Sequence, residues 1–134
     1  VNLADLYRAQ GKEGAARSLL EAGIRLSERD ASLWFSLALL EVREGNGTQA
    51  LRALQTAAML EETPGYYHYV YAVAQHDQGR PEEALATLRA THRVAPGQPN
   101  ILAALVQYSQ LAGDMDSARR YQTELRSTLR DAGL

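Results

Sequence analysis

The sequence predicts an all-α chain, an α-solenoid of antiparallel helix pairs that repeats every 34 residues. Two registers carry this prediction. Gly11, Gly45, Gly79 and Gly113 hold one, and Ala16, Ala50, Ala84 and Ala118 hold the other. A third observation sets the element type. Between the glycines, apolar residues recur at helical spacing, and no stretch alternates with period two for long enough to make a strand. A fixed period in this range belongs to stacked supersecondary units, a class that points to a binding module without naming its ligand.

Residues 1–10 read as a short helix with Leu3, Leu6 and Tyr7 on one stripe, stopped by Gly11. A second helix over 13–26 turns Ala16, Leu20, Gly23 and Ile24 inward. Asp30 caps a third over 31–44, whose apolar set is Leu33, Trp34, Leu37, Ala38 and Leu40, and Gly45 ends it. Asn46 caps a fourth over 47–60, with Ala50, Leu51, Leu54 and Ala57 inward. Thr63-Pro64-Gly65 is a break, with Thr63 as cap and Pro64 in the first turn of a fifth helix that runs to Gln78. Pro81 opens a sixth helix to Val94, and Pro96-Gly97-Gln98-Pro99 breaks the chain again. A seventh helix covers 100–112, Gly113 ends it, and Asp114 caps an eighth that runs to Arg130.

Bulk properties narrow the function classes. Hydrophobic residues make up 46% and charged residues 22%, the composition of a folded chain. A net charge of −2 gives no general attraction to nucleic acid or anionic lipid, and no apolar run reaches the length of a membrane span. Cysteine is absent, which removes disulfides, thiolate chemistry and cysteine-ligated zinc. The opening Val-Asn-Leu-Ala-Asp-Leu-Tyr reads as helix interior, so the chain is expected to be a segment of a longer protein. In the last helix Arg119, Gln122 and Arg126 replace the apolar Leu51, Leu54 and Ala58 of an internal one, so the C-terminus is expected to be a natural, capped end.

With these residues in place, the chain resembles the tetratricopeptide repeat. One unit carries that pattern as Trp34, Leu37, Ala38, Gly45, Ala50, Leu54 and Ala57, and the next as Tyr71, Ala72, Gly79, Ala84, Leu88 and Pro96. The last carries Leu102, Leu105, Gly113 and Ala118, and a partial first unit keeps Tyr7, Gly11, Ala16 and Leu20. The resemblance covers the whole chain as one domain: a partial repeat at 1–30, repeats at 31–64 and 65–98, and a C-terminal repeat with its capping helix at 99–134. Glu41, Gln75 and Ser109 depart from it, standing where the family has Tyr, and need partners or solvent. His68 departs where the family has Trp or Leu.

The resemblance implies a stripe on the first helix of each pair that faces a concave groove. In this sequence the stripe falls on Val1, Asp5 and Arg8, on Ser32, Phe35, Leu39 and Val42, on Tyr66, Tyr69, Val73 and His76, and on Asn100, Ala103, Gln107 and Gln110. The partner-binding set is accordingly Arg8, Phe35, Leu39, Val42, Tyr66, Tyr69, Val73, His76, Asn100 and Gln107, apolar at the centre and polar at the ends. For Phe35, Tyr66 and Tyr69, spacing leaves partner contact and plain half-exposure equally open. Replacing Tyr69 is expected to weaken binding with little change in stability. A second, weaker resemblance rests on "VNLADLYRAQG" and "YVYAVAQHDQGRPEEAL", which look like the C-terminal repeat region of bacterial multihaem cytochrome-like proteins. It implies a periplasmic setting and haem motifs upstream, none of which stands in this chain.

Other sites reduce to structural readings. His68, His76 and His92 lack metal-ligand spacing, and Glu82-Glu83 suits the first turn of a helix better than acid–base chemistry. Glu61-Glu62 lacks the context of a catalytic pair, and there is no phosphate loop or nucleophile motif. No catalytic residue, metal or cofactor is expected. Two functions compete. One is a module that takes a protein or peptide partner in its groove. The other is a structural role, in which the array packs against its own upstream domain or a second copy; seam residues such as Leu3, exposed at the truncated end, are expected to favour a homodimer artificially.

Overall fold

The computed structural model describes the backbone of residues 3–134 and the side chains of residues 11, 12 and 14–134. The described residues form seven α-helices and no strand: α1 Leu3–Leu26, α2 Ala31–Arg43, α3 Gly47–Leu60, α4 Tyr66–Asp77, α5 Pro81–Val94, α6 Pro99–Leu111 and α7 Met115–Asp131. They fall into two compact units, residues 1–60 and 61–134.

The expected break at Gly11 is absent, because α1 runs straight through it. The reason lies in the residues after each glycine of the register. Gly45, Gly79 and Gly113 have φ of 78°, 78° and 81°, in the left-handed region that suits glycine, and a helix starts soon after each. Asn46 and Asp114 are good N-cap residues, and Arg80 leads into Pro81. After Gly11 come Lys12 and Glu13, which provide neither cap nor proline. With no competing start, unbroken helical hydrogen bonds outweigh the roughly 1 kcal/mol that an interior glycine costs.

The three reversals are closed by the same hydrogen bonds. Gly79 N–H donates to His76 O at 3.0 Å and Arg80 N–H to Gln75 O at 2.9 Å. Gly45 and Asn46 repeat this on Val42 and Glu41, and Gly113 and Asp114 repeat it on Gln110 and Ser109. The 6→1 bonds from Asn46, Arg80 and Asp114, with the shorter bonds from the glycines before them, satisfy carbonyls that a helix end would leave open.

In the first unit, α1 packs on α2 and α2 on α3. Ala50, Leu54 and Ala57 of α3 and Ala38 and Leu40 of α2 are buried. Gly23 lets α1 approach closely, since a Cβ there would meet Leu33 Cδ1 at 3.3 Å. Trp34 Nε1 donates to Glu28 O at 2.8 Å and ties α2 to the loop before it. Ala16 is only half-buried, because the helix expected to cross it is part of the same continuous α1.

In the second unit α4 packs on α5, α5 on α6 and α6 on α7. Ala72, Ala84, Leu85, Leu88, Ile101, Ala104, Leu105 and Tyr108 form its core, and Ala118 is also buried. Caps at Asp30 and Asp114 form as expected. The Ser32 and Ser117 hydroxyls each lie 2.6 Å from the capping carboxylate and, with the backbone N–H groups, hold both carboxyls below the usual aspartate range. Arg119 and Arg126 on α7 are exposed and Gln122 half-buried, a more polar face than its α3 counterparts.

The cap expected at Thr63 is not the one formed. Helix α4 starts at Tyr66 with Gly65 at the N-cap, and the carboxylate of Glu61 takes the open donors. The N–H groups of Gly65, Tyr67 and His68 donate to it at 3.1, 3.1 and 3.3 Å, and His68 Nδ1 lies 2.7 Å away. Thr63 is exposed and lies too far ahead of the helix start for the role assigned to it. The Gln98 side chain pins the same loop, donating to Pro64 O at 2.7 Å and Ala95 O at 3.1 Å.

Candidate functional site

The candidate binding positions are set by helix geometry. Positions three and four apart share a face, so a buried seam leaves a second stripe beside it open. On α2 the seam buries Ala38, Leu40 and Glu41, while Ser32, Phe35, Leu39 and Val42 stay partly or fully exposed. Leu39 is 42% and Val42 57% exposed, which leaves two large apolar side chains in solvent one turn apart. Both belong to the first unit.

The second unit carries a longer stripe, on α4 and α6. Tyr66 is 57% exposed, and Tyr69, Val73 and His76 are half-buried. On α6, Asn100 is half-buried, and Ala103, Gln107 and Gln110 are exposed, against the buried Ile101, Leu102, Ala104 and Leu105. Aromatic contacts tie the two helices into one surface. The His76 ring stacks on Tyr108 with centroids 3.9 Å apart and planes 9° apart. Tyr66 and Tyr69 lie 6.4 Å apart along the same face. Burial pushes the Tyr108 phenol up from its ordinary value, and the charge of Asp77 pushes it the same way.

Tyr69 corrects one expectation. It packs against the core of its unit as well as facing the stripe. Its side chain is packed against that core instead of standing free, so its replacement disturbs packing too. Tyr108 is buried in the core and Tyr121 packs against it, as expected, and Tyr71 is half-buried. The side chain of Arg8, and Leu3 with the N-terminal seam, lie outside the described side chains.

The polar residues on the seam find different solutions. Glu41 pairs with Arg17 of α1, whose guanidinium also donates to Glu44 at 2.6 Å. Gln75 accepts from the Thr87 hydroxyl of α5 at 2.7 Å. Ser109 is fully buried and its hydroxyl has no partner among the described residues. His68 is held by Glu61, and His92 Nε2 lies 2.9 Å from Glu124. No group of three or more His, Cys, Asp or Glu among the described residues is placed to hold a metal ion. No helix among them is long and apolar enough to cross a membrane.

Helix pairs with 34-residue glycine reversals, buried seams and open stripes define a helical-repeat scaffold, a kind of fold that typically supports interactions and not catalysis. The family model for the tetratricopeptide repeat matches residues 1–22 and 65–90, so these two stretches of the chain are similar to that family. Superkiller protein 3 of Schizosaccharomyces pombe is 31% identical over 68 residues. The match covers 51% of this chain and 5% of that protein, so the chain spans a small part of its relative's length. Two crystal structures of MamA share the fold, with TM-scores of 0.71 and 0.74 at 16% and 18% identity. The likeness covers 96% and 98% of this chain and 75% and 72% of theirs.

Proposed function

We propose that this chain is a non-catalytic module that binds a protein partner through the open stripes of its first-of-pair helices. In the second unit the surface is Tyr66, Tyr69, Val73 and His76 of α4 with Asn100 and Gln107 of α6. In the first unit it is Phe35, Leu39 and Val42 of α2. The observation that supports this most is the solvent exposure of Leu39 and Val42 on one face of α2 in the first unit and of Tyr66 on α4 in the second, each beside buried seam residues of its own unit. Large apolar side chains that the core does not use are explained by a partner when they share one face. Tyrosine adds contact area at small entropic cost, and the flanking amides add directional hydrogen bonds.

The test is selection of peptides from a random display library on the 134-residue chain, with affinity then measured on variants. Tyr66→Ala and Gln107→Ala are expected to weaken a selected peptide by about 1–2 kcal/mol each, and Arg119→Ala on α7 to leave it unchanged. Loss of binding in Arg119→Ala with none in Tyr66→Ala would put the surface on the wrong face.

A further inference from the structure

A cleft of about 510 Å³ opens at the C-terminal ends of α4 and α6, within the second unit. The paired rings of His76 and Tyr108, Leu85 and Pro81 make it apolar, and Leu111, 66% exposed, stands at its side. This is the size range of cavities that hold a compact group. Glu82 is the one carboxylate that lines it, and Asp77 follows the lining residue His76 at the exposed end of α4. Neither carboxylate has an ion pair among the described residues, and Arg80 is engaged by Glu83 at 3.5 Å.

Asp77 is the informative residue. It is the last residue of α4, where the helix dipole is negative and an acidic side chain is unfavourable. Glu82 has a structural reason to be where it is, in the first turn of α5. Asp77 has none, and α6 adds a second negative helix end at Leu111 and Ala112, which also line the cleft. An apolar floor with an uncompensated negative rim is complementary to a side-chain pair of opposite character.

We propose that this cleft takes a short segment of a partner protein in which a bulky apolar side chain stands beside Lys or Arg. The inference rests on the protein-binding reading above and assigns the chemistry of one subsite. The apolar side chain enters between Leu85, Leu111 and the His76–Tyr108 stack, and the cation reaches Asp77 and Glu82.

The test uses fluorescein-labelled hexapeptides that carry a Leu-Arg, Phe-Arg or Leu-Lys pair, with Leu-Glu and Ser-Arg pairs as counterparts, read by anisotropy. The apolar–basic peptides are expected to bind and to weaken with added salt. The double variant Asp77→Asn with Glu82→Gln is expected to weaken them about tenfold while melting close to the parent, since removing the unfavourable charge of Asp77 offsets removing the favourable one of Glu82. Equal binding of the Leu-Glu peptide, or equal affinity in the double variant, overturns the inference. If a library-selected peptide binds and responds to Tyr66→Ala but none of the hexapeptides binds, the cleft falls and the module stands. If nothing binds, both fall. If light scattering shows a dimer that the double variant splits, the occupant is a second copy and the inference is overturned.

Discussion

Replacing Glu61 isolates the least expected contact in the second unit. Its carboxylate accepts from three backbone N–H groups at the start of α4 and from the His68 ring, with its own side chain 14% exposed. Glu61→Ala opens all four bonds. A lost helix cap costs about 1 kcal/mol, and a hydrogen bond to a charged group about 1.5–3 kcal/mol, part of which water recovers at this half-open loop. The expected loss is therefore about 2–3 kcal/mol, and Glu61→Gln, which keeps one oxygen, should lose about half of that. Burial pushes the Glu61 carboxyl up, but the His68 ring and the N–H groups of Tyr67, Gly65 and His68 together outweigh it and hold the carboxyl below 4.5. A carboxyl whose folded value is depressed stabilises fully above its unfolded value and loses that stabilisation as pH falls through the folded one. The gap between parent and Glu61→Ala should thus be widest above pH 4.5 and narrow as pH falls below it. Urea unfolding across that range measures both. A variant as stable as the parent, or a gap that persists unchanged well below pH 4.5, would refute the capping role.

Three further substitutions test the packing. Leu88→Ala, at a fully buried position, should lose about 2–5 kcal/mol in urea unfolding, and a loss under 1 kcal/mol would mean the core closes around the gap. Gly79→Ala places a Cβ where φ is 78°, with open space around it, so the cost is backbone strain alone, about 1–2 kcal/mol by the same assay. Tyr69→Ala should lower stability and peptide affinity together, whereas Tyr66→Ala should lower affinity alone. A Tyr69→Ala chain that melts like its parent would show that the ring adds nothing to the core.

The repeat was legible because its signals are spaced identically and are locally complete. At 45, 79 and 113 the glycine and the residues after it agree on a reversal. Gly11 misled because the register continues while the cap or proline after it does not. The role of Glu61 was not legible, since it caps from across a loop and the usual sign, a short polar residue just before the helix, points to Thr63. Glu41 and Gln75 were recognisable as polar residues in need of partners. The partners themselves, Arg17 one helix back and Thr87 one helix on, share no common spacing. The stripe came from the family resemblance, with helical period placing its residues on one face, yet the dual role of Tyr69 was not legible, because half a ring in the core leaves the pattern unchanged. The cleft at Asp77 and Leu111 joins the ends of separate helices, and sequence spacing alone does not bring those together.

The central claim is that the stripe of α4 and α6 is a protein-binding surface. Amide chemical-shift mapping of the chain against a library-selected peptide tests it most directly. The account predicts that the shifts concentrate on Tyr66, Tyr69, Val73, His76, Asn100 and Gln107 and leave the outer face of α7 around Arg119 and Arg126 unchanged. Shifts centred on α7, with the α4 stripe silent, would contradict it.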